Sequence, residues 1–164
     1  AEIELAEVES REFRLRNALQ QVASDYDYIF IDCPPSLGLL TVNALCAADY
    51  VVVPLQCEFY ALEGLSQLMR TINMVQKGLN KDLLVQGIVL TMYDSRNKLS
   101  EMVANDVRSH FGNLVYTTVI PRNVRISEAP SFGQPVLIYD LKCAGAQAYV
   151  ALAAELLSQE KEAA

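Results

Sequence analysis

Three segments of this 164-residue chain place polar or charged side chains directly after apolar runs. The first is Asp32, which follows Ile29–Ile31; the others are Thr91–Arg96 and Pro121–Arg125. A carboxylate at the end of a buried strand is costly unless a cation or hydrogen-bond donors receive it. Such a position is typical of a Walker B aspartate, which holds Mg²⁺ beside nucleotide phosphates. It is equally typical of an aspartate that caps the next helix.

A Walker B aspartate works together with a glycine-rich phosphate-binding loop, G-x-x-x-x-G-K-[ST]. The chain has seven glycines, and none of them is followed by a lysine. The sequence therefore offers a candidate Mg²⁺ ligand without the loop that would bind the phosphates.

The spacing of apolar residues predicts the elements that position these segments. Strands and helices are expected to alternate along most of the chain: strands at 27–32, 50–55, within 82–94, at 114–120 and at 136–139, helices at 2–22, 37–48, 59–77, 97–111 and 144–158, and a loop at 121–135.

This alternation predicts an α/β fold, in which right-handed β-α-β crossovers build a parallel sheet with helices on both faces. Ligands of such folds bind at the carboxyl ends of the strands. We therefore expect Asp32, Thr91–Arg96 and Pro121–Arg125 to lie at the same edge of the sheet.

Composition limits the classes of function. The chain is 52% hydrophobic, contains no apolar run long enough to span a membrane, and has four cysteines without a C-x-x-C pair, which indicates a globular protein with reduced thiols and no zinc site. Its net charge of −7 argues against general affinity for nucleic acid. However, residues 66–142 contain nine Lys and Arg against six Asp and Glu, a balance of +3, so a local basic surface is possible.

Four stretches of the sequence resemble the ParA/Soj family of plasmid and chromosome partition ATPases. They are "YDYIFIDCPPSLGLLTVNAL", "ADYVVVPLQCEFYALEGLSQL", "GIVLTMYDSRNKLS" and "TVIPRNVRISEAPSFGQPV". The resemblance implies a P-loop NTPase-like fold that is incomplete at the N-terminus, with residues 1–164 as a single domain forming the C-terminal part of a ParA-type ATPase domain. In that family a preceding region carries the deviant Walker A lysine and a second catalytic aspartate.

The resemblance also implies nucleotide and metal roles for six residues. Asp32 corresponds to the family's Walker B aspartate, a catalytic residue that binds Mg²⁺ through water. The positions that surround the adenine of ATP correspond to Thr91, Met92, Pro121, Arg122 and Asn123.

Arg96 and Arg125 correspond to two arginines linked to non-specific DNA binding in the family. Contacts of this kind neutralise backbone phosphates and read no bases. The family's ATPases form nucleotide-sandwich homodimers, and a ParB-type centromere-binding partner stimulates their hydrolysis of ATP. The resemblance thus implies a bacterial-type cytoplasmic, nucleoid-associated protein without membrane binding. Because this chain lacks the Walker A lysine, we expect it to be inactive in ATP hydrolysis on its own.

Two alternatives stay open at the level of sequence. A MinD-like membrane-associated ATPase ends in a basic amphipathic helix, whereas this chain has three Glu and one Lys after residue 154. A non-enzymatic binding module, such as a phospho-acceptor domain that uses Asp32, needs neighbouring acidic residues and a lysine after a later strand. The sequence "VIPRN" offers arginine in that place.

Overall fold

The computed structural model describes residues 9–33 and 38–163 of the chain. Short 3₁₀ turns occur at Arg11–Phe13, Ala23–Asp25, Gly112–Leu114 and Ala129–Phe132. The strands and α-helices, in chain order, are α1 (Arg14–Leu19), α2 (Leu39–Ala47), β1 (Tyr50–Gln56), α3 (Ala61–Gly78), β2 (Leu84–Tyr93), α4 (Lys98–Phe111), β3 (Val115–Pro121), α5 (Val124–Glu128), α6 (Val136–Tyr139) and α7 (Ala144–Ala163).

The three strands form one sheet in the order β1-β2-β3. Strands β2 and β3 are parallel, with Ile88 opposite Val115 and Leu90 opposite Val119. Between these two pairs β3 contains two residues more than β2, which marks a bulge in β3. The predicted α/β class and parallel sheet are confirmed, as are the predicted strands that correspond to β1, β2 and β3.

The chain divides into two compact units. The first unit comprises residues 1–51 and 64–86, and the second comprises residues 52–63 and 87–164. The elements β1, α3 and β2 each have residues in both units.

The core of the second unit lies between the sheet and α7, which packs along β3. Residues Ile88 and Leu90 alternate with the core residue Val89, so their side chains point to the opposite face of the sheet, and both are fully buried. Helix α4 also contacts β3 and buries Val103, Ala104 and Val107. Helices therefore cover both faces of the sheet. The core residues on the α7 side are Val89, Tyr116 and Ile120, packed by Val52, Ile126, Ala148, Leu152 and Leu156.

The core of the first unit forms around α3, whose apolar residues recur at helical spacing. Of these, Leu65, Ile72 and Val75 are buried. Two asparagines satisfy backbone carbonyls in this unit. The amide of Asn80 donates to the Leu45 and Ala48 carbonyls at 3.0 and 2.8 Å, which closes the end of α2. The buried Asn43 amide donates to the Arg11 carbonyl at 2.8 Å and so fixes the preceding turn on α2. The buried apolar residues of this core are Leu45, Cys46, Ile72, Val75 and Leu83.

The predicted strand at residues 27–32 is wrong. Residues 26–33 have no helix or strand, and Tyr28 and Phe30 are 50% and 85% exposed. A strand satisfies its backbone groups through a neighbouring strand, and within residues 9–33 and 38–163 no strand pairs with this segment. Its apolar pattern is therefore not sufficient to form a strand here.

The predicted loop at 121–135 and the predicted short strand at 136–139 are also wrong. The loop contains helix α5, which begins after its N-cap Asn123, and a 3₁₀ turn at Ala129–Phe132. Residues 136–139 form helix α6, because the amides of Ile138 and Tyr139 donate to the Pro135 carbonyl. A run of four apolar residues does not distinguish a strand from a helical turn.

The predicted terminal helices differ from the structure in extent. Residues 2–8 of the predicted helix 2–22 lie outside the described residues, and the rest up to residue 22 forms only a 3₁₀ turn and the short α1. Helix α7 continues past the predicted end at 158 to Ala163. Within the ranges that the structure describes, no helix has the length and apolar character needed to cross a bilayer.

Tyr116 fills the space beside a glycine in the neighbouring strand. The ring lies so close to Gly87 that a Cβ at this glycine would overlap it, which explains a glycine in the middle of β2. Tyr116 is 1% exposed, and its hydroxyl has no hydrogen-bond partner among the described residues. Burial accordingly raises the pKa of Tyr116.

We expect Tyr116→Phe to increase the free energy of unfolding by about 1 kcal/mol, because it removes a buried hydroxyl without a partner and keeps the ring. The measurement is chemical denaturation followed by circular dichroism. Tyr149→Phe, which removes a hydroxyl from a 40% exposed side chain, is the matched control and should leave stability unchanged. A loss of stability in Tyr116→Phe would contradict the unpaired state of this hydroxyl.

Glu155 of α7 binds the bulge of β3. Its two carboxylate oxygens accept hydrogen bonds from the backbone N–H groups of Thr117 and Thr118, at 2.6 and 2.9 Å. Burial opposes ionisation of Glu155, but the hydrogen bonds from Thr118 and Thr117 outweigh it and lower the pKa of this carboxyl. The ionised carboxylate thus satisfies the backbone N–H groups of Thr117 and Thr118.

We expect Glu155→Gln to destabilise the protein by on the order of 1 kcal/mol near neutral pH, because the amide can accept only one of the two hydrogen bonds. The lowered pKa fixes the sign of the pH dependence. The contribution of Glu155 is complete above its ordinary pKa of 4.5 and is lost as pH falls through the lower folded-state value.

Unfolding curves of the wild type and of Glu155→Gln between pH 3 and pH 7 test this expectation, with Glu63→Gln at an exposed position of α3 as the control. The stability difference between wild type and Glu155→Gln should shrink at the acidic end. A difference that is constant over this range would be inconsistent with an ionised Glu155 at the bulge.

Candidate functional site

A pocket of about 230 Å³ lies at the carboxyl ends of the three strands, within the second unit. Strand β1 contributes Pro54, β2 contributes Thr91 and Met92, and β3 contributes Ile120 and Pro121. The remaining walls come from the two helices beside these strand ends. They are formed by Asn123, Ile126 and Ser127, at the start of and within α5, and by Tyr149 of α7.

Backbone hydrogen bonds fix the strand ends around this pocket. The Cys57 amide donates to the Thr91 carbonyl at 3.2 Å, and the Arg122 amide donates to the Tyr93 carbonyl at 2.9 Å. Between them Met92 has a φ of 53°, in the left-handed region that non-glycine residues rarely adopt. Such backbone strain is held in place by surrounding structure and occurs preferentially at functional sites.

Asn123 has one side-chain atom committed to the fold. Its Oδ1 accepts a hydrogen bond from the Arg125 amide at 2.9 Å and caps α5. The Nδ2 donor is then the group that Asn123 can offer to a ligand. Close packing sets this position, because a Cβ at Gly145 would lie 2.5 Å from Ile126 and 3.2 Å from the Asn123 Cβ.

Arg96 stands on the turn that follows β2. Its Nε and Nη2 donate to the two carboxylate oxygens of Asp94, each at 2.9 Å. The Arg96 side chain is 87% exposed. The side-chain hydrogen bond from Arg96 lowers the pKa of Asp94 to about 2, so this carboxylate is ionised at neutral pH.

Arg125 stands on α5 and is held by two carboxylates. Its Nη1 donates to Glu128 at 2.9 Å, and its Nε lies 3.5 Å from an oxygen of Asp140. The Tyr139 hydroxyl donates to the same Glu128 oxygen at 3.2 Å. The predicted DNA-binding pair thus consists of one arginine that projects into solvent and one that ties α5 to the segment after α6.

Asp32 lies in the irregular segment of the first unit, where it is exposed. It is not among the residues that line the pocket. In the part of the chain that the structure describes, no group of three or more His, Cys, Asp or Glu side chains is arranged to hold a metal ion. The predicted Mg²⁺ role of Asp32, which needs a single carboxylate acting through water, stays a prediction.

The structure brings Thr91, Met92, Pro121 and Asn123 together in one pocket, in agreement with the predicted common edge for these two segments. Asp32, which was expected at the same edge, does not follow a strand. Arg122 is exposed and is not among the lining residues. Sequence reasoning missed the remaining lining residues, for which motifs give no signal because they come from four separate elements: Pro54, Ile120, Ile126, Ser127 and Tyr149.

Comparison with known proteins gives closely similar relatives. The chain is 64% identical to the chromosome partitioning protein ParA of Caulobacter vibrioides, over 98% of this chain and 61% of that protein. It is 58% identical to the sporulation initiation inhibitor protein Soj of Bacillus subtilis, over 95% of this chain and 62% of Soj. The chain thus spans about three fifths of the length of these relatives.

Solved structures have the same fold. The chain matches a structure named cobyrinic acid a,c-diamide synthase from Mycobacterium smegmatis with a TM-score of 0.81 and 39% identity, over 99% of this chain and 60% of that one. A structure of that protein with bound ADP and magnesium matches with a TM-score of 0.69 and 45% identity, over 75% of this chain and 50% of that one. The cell division ATPase MinD of Pyrococcus furiosus, at 24% identity and a TM-score of 0.70 over 93% of this chain and 59% of MinD, shows the fold alone.

A family model described as "AAA domain" matches residues 1–85, about half of the chain. Together with the identities to ParA and Soj along almost its whole length, this match confirms the resemblance found in the sequence. The chain belongs to the ParA/Soj family of chromosome-partitioning ATPases.

Proposed function

We propose that the complete protein is an ATP-hydrolysing DNA-partition ATPase whose adenine-binding pocket is the cavity at the carboxyl ends of β1, β2 and β3. The observation that carries this proposal is the convergence of Thr91, Met92, Pro121 and Asn123 on that cavity. Ligands of parallel α/β folds bind in this position. The whole of residues 1–164 would belong to a single ATPase domain, since β1, α3 and β2 are shared between the two units.

The size and walls of the pocket suit a nucleotide base. Its volume of about 230 Å³ is below the roughly 300 Å³ at which pockets for whole drug-sized ligands begin. Pro54 and Pro121 give apolar walls with little conformational freedom, and the Asn123 Nδ2 can donate to a ring nitrogen. Arg122, which is exposed beside this pocket, would contact the nucleotide from outside.

Asp32 would hold Mg²⁺ through water in the complete protein. The described residues do not form a metal site by themselves, so we propose that the phosphates and other parts of the protein supply the remaining ligands. A bound Mg²⁺ neutralises charge on the β- and γ-phosphates. The Asp32 carboxylate is exposed and can orient a water on such an ion.

Arg96 and Arg125 would contact backbone phosphates of DNA without regard to sequence. In support, both lie in the part of the chain with a positive charge balance, residues 66–142. We propose that ATP closes a homodimer that binds DNA, and that a ParB-type partner stimulates hydrolysis at the bacterial nucleoid.

We expect Ser127→Trp to weaken binding of ATP and ADP by at least about tenfold, because the indole would fill the pocket from its rim. Ser127 is exposed, so the substitution should leave the melting temperature unchanged. Isothermal titration of the full-length protein with ADP measures the affinity. The matched control is Ser109→Trp, at an exposed position of α4 away from the lining residues, which should bind as the wild type does. Equal affinity in both variants would argue that the base binds elsewhere.

We expect Asp32→Asn to lower the rate of ATP hydrolysis by about 100-fold or more, because a neutral amide orients a Mg²⁺-bound water poorly. Steady-state hydrolysis by the full-length protein, with DNA present and Mg²⁺ varied, gives the rate and the Mg²⁺ dependence. Asp27→Asn is the control, since Asp27 is exposed in the same irregular segment. Hydrolysis by Asp32→Asn at the wild-type rate would remove Asp32 from the site.

A further inference from the structure

We propose that Asp94 is a positioning residue for DNA binding: it holds one edge of the Arg96 guanidinium and presents the other edge to a backbone phosphate. This inference rests on the proposed DNA-binding function of Arg96 and adds to it a residue that neither the sequence motifs nor the relatives assign.

The ion pair between Asp94 and Arg96 is bidentate and local. Arg96 donates from Nε to Oδ1 and from Nη2 to Oδ2, both at 2.9 Å, and its backbone amide donates to Oδ1 at 3.0 Å. The Asp94 side chain is 23% exposed, whereas the Arg96 side chain is 87% exposed. The carboxylate is therefore largely buried against the protein surface, and the guanidinium projects from it into solvent.

The pairing leaves the outer edge of the guanidinium available. Arginine has five N–H donors in a planar fork, and Asp94 takes the one on Nε and one on Nη2. The edge formed by Nη1 and the second N–H of Nη2 has the geometry that matches two phosphate oxygens. Asp94 thus fixes the plane of the fork and leaves a complete bidentate edge for the ligand.

The turn that carries this pair is itself well held. The Asn97 amide donates to the Asp94 carbonyl at 3.0 Å, and the Asn97 side chain caps α4 by accepting from the Leu99 amide. On the other side of the turn, the Tyr93 carbonyl accepts a hydrogen bond from the Arg122 amide. The backbone around Arg96 is therefore held between the end of β2 and the capped start of α4.

Two opposing effects decide what the Asp94 carboxylate does to DNA affinity. Its negative charge repels a phosphate, while its hydrogen bonds remove the rotamer freedom that Arg96 would otherwise lose on binding. The repulsion is reduced because the charge is paired with Arg96 and also interacts with Arg122. Positioning should therefore outweigh repulsion, and loss of the carboxylate should weaken binding although it makes the protein less negative.

The test measures binding of the full-length protein with Mg·ATP to a double-stranded DNA fragment of arbitrary sequence, by fluorescence anisotropy at several salt concentrations. We expect Asp94→Asn to weaken binding about three- to tenfold and to lower the slope of log K against log salt by about one, as loss of one phosphate contact does. Asparagine keeps Oδ1, which accepts from the Arg96 amide and Nε, so the turn is retained, but its NH₂ group replaces Oδ2 and cannot accept from Nη2.

Two further variants separate positioning from charge. Glu101→Gln removes an exposed negative charge on the first turn of α4 and should bind DNA as tightly as the wild type or more tightly. Arg96→Lys keeps the positive charge but cannot be held along one edge while offering a second edge. It should therefore weaken binding to the same extent as Asp94→Asn.

The outcomes distinguish this inference from the proposed function. If the wild type binds DNA and Arg96→Ala weakens binding, but Asp94→Asn binds equally or more tightly, Asp94 acts only as a repelling charge and the inference is wrong. Wild-type affinity in Arg96→Lys would overturn it as well. A wild type that does not bind DNA in Mg·ATP would refute the proposed DNA-binding function itself.

Discussion

The hydrogen bonds that join the carboxyl ends of the three strands are the constraint on which the candidate site depends. The bond from Cys57 to Thr91 ties β1 to β2, and the bond from Arg122 to Tyr93 ties β2 to β3. They enclose the left-handed residue Met92, whose backbone no isolated chain would favour. The pocket-lining residues of β2 and β3, the turn at Asp94 and the N-terminus of α5 all lie within a few residues of these bonds.

Sequence reasoning predicted the parts of the fold that neighbouring strands stabilise. Strands β1, β2 and β3 have both apolar pattern and partners, and their ends carry the predicted residues Thr91 and Pro121. The segment 27–32 has the same pattern but no partner in the described part of the chain, and it is irregular. Periodicity reports which side chains can be buried, whereas strand formation also requires a neighbour for the backbone.

The candidate site was predicted at the level of residue types but not of their partners. Arg96 and Arg125 follow from the family's motifs, and the acids that hold them do not. Asp94 is two residues from its arginine, whereas Asp140 comes from beyond α6 and meets Arg125 only through the fold. The prediction of a loop at 121–135 gave no reason to pair Arg125 with Glu128. Helix α5 places these two residues on the same helix face, three positions apart. The short capped helix α5 thus determines which side chains surround Arg125, whereas a motif match gives only its positive charge.

The two arginines consequently differ in what they can contribute. Arg125 has carboxylates on two separate donor groups and joins α5 to residues 139–140, so its removal would disturb local structure along with any DNA contact. Arg96 is bound along a single edge and projects from a rigid turn. A phosphate can approach the outer edge of Arg96 without breaking an existing ion pair and meets one paired carboxylate there, whereas at Arg125 it comes close to two carboxylates, Glu128 and Asp140. Of these two arginines, Arg96 is therefore the one whose contacts with the protein orient it for a phosphate ligand, and the geometry of Asp94 is the reason.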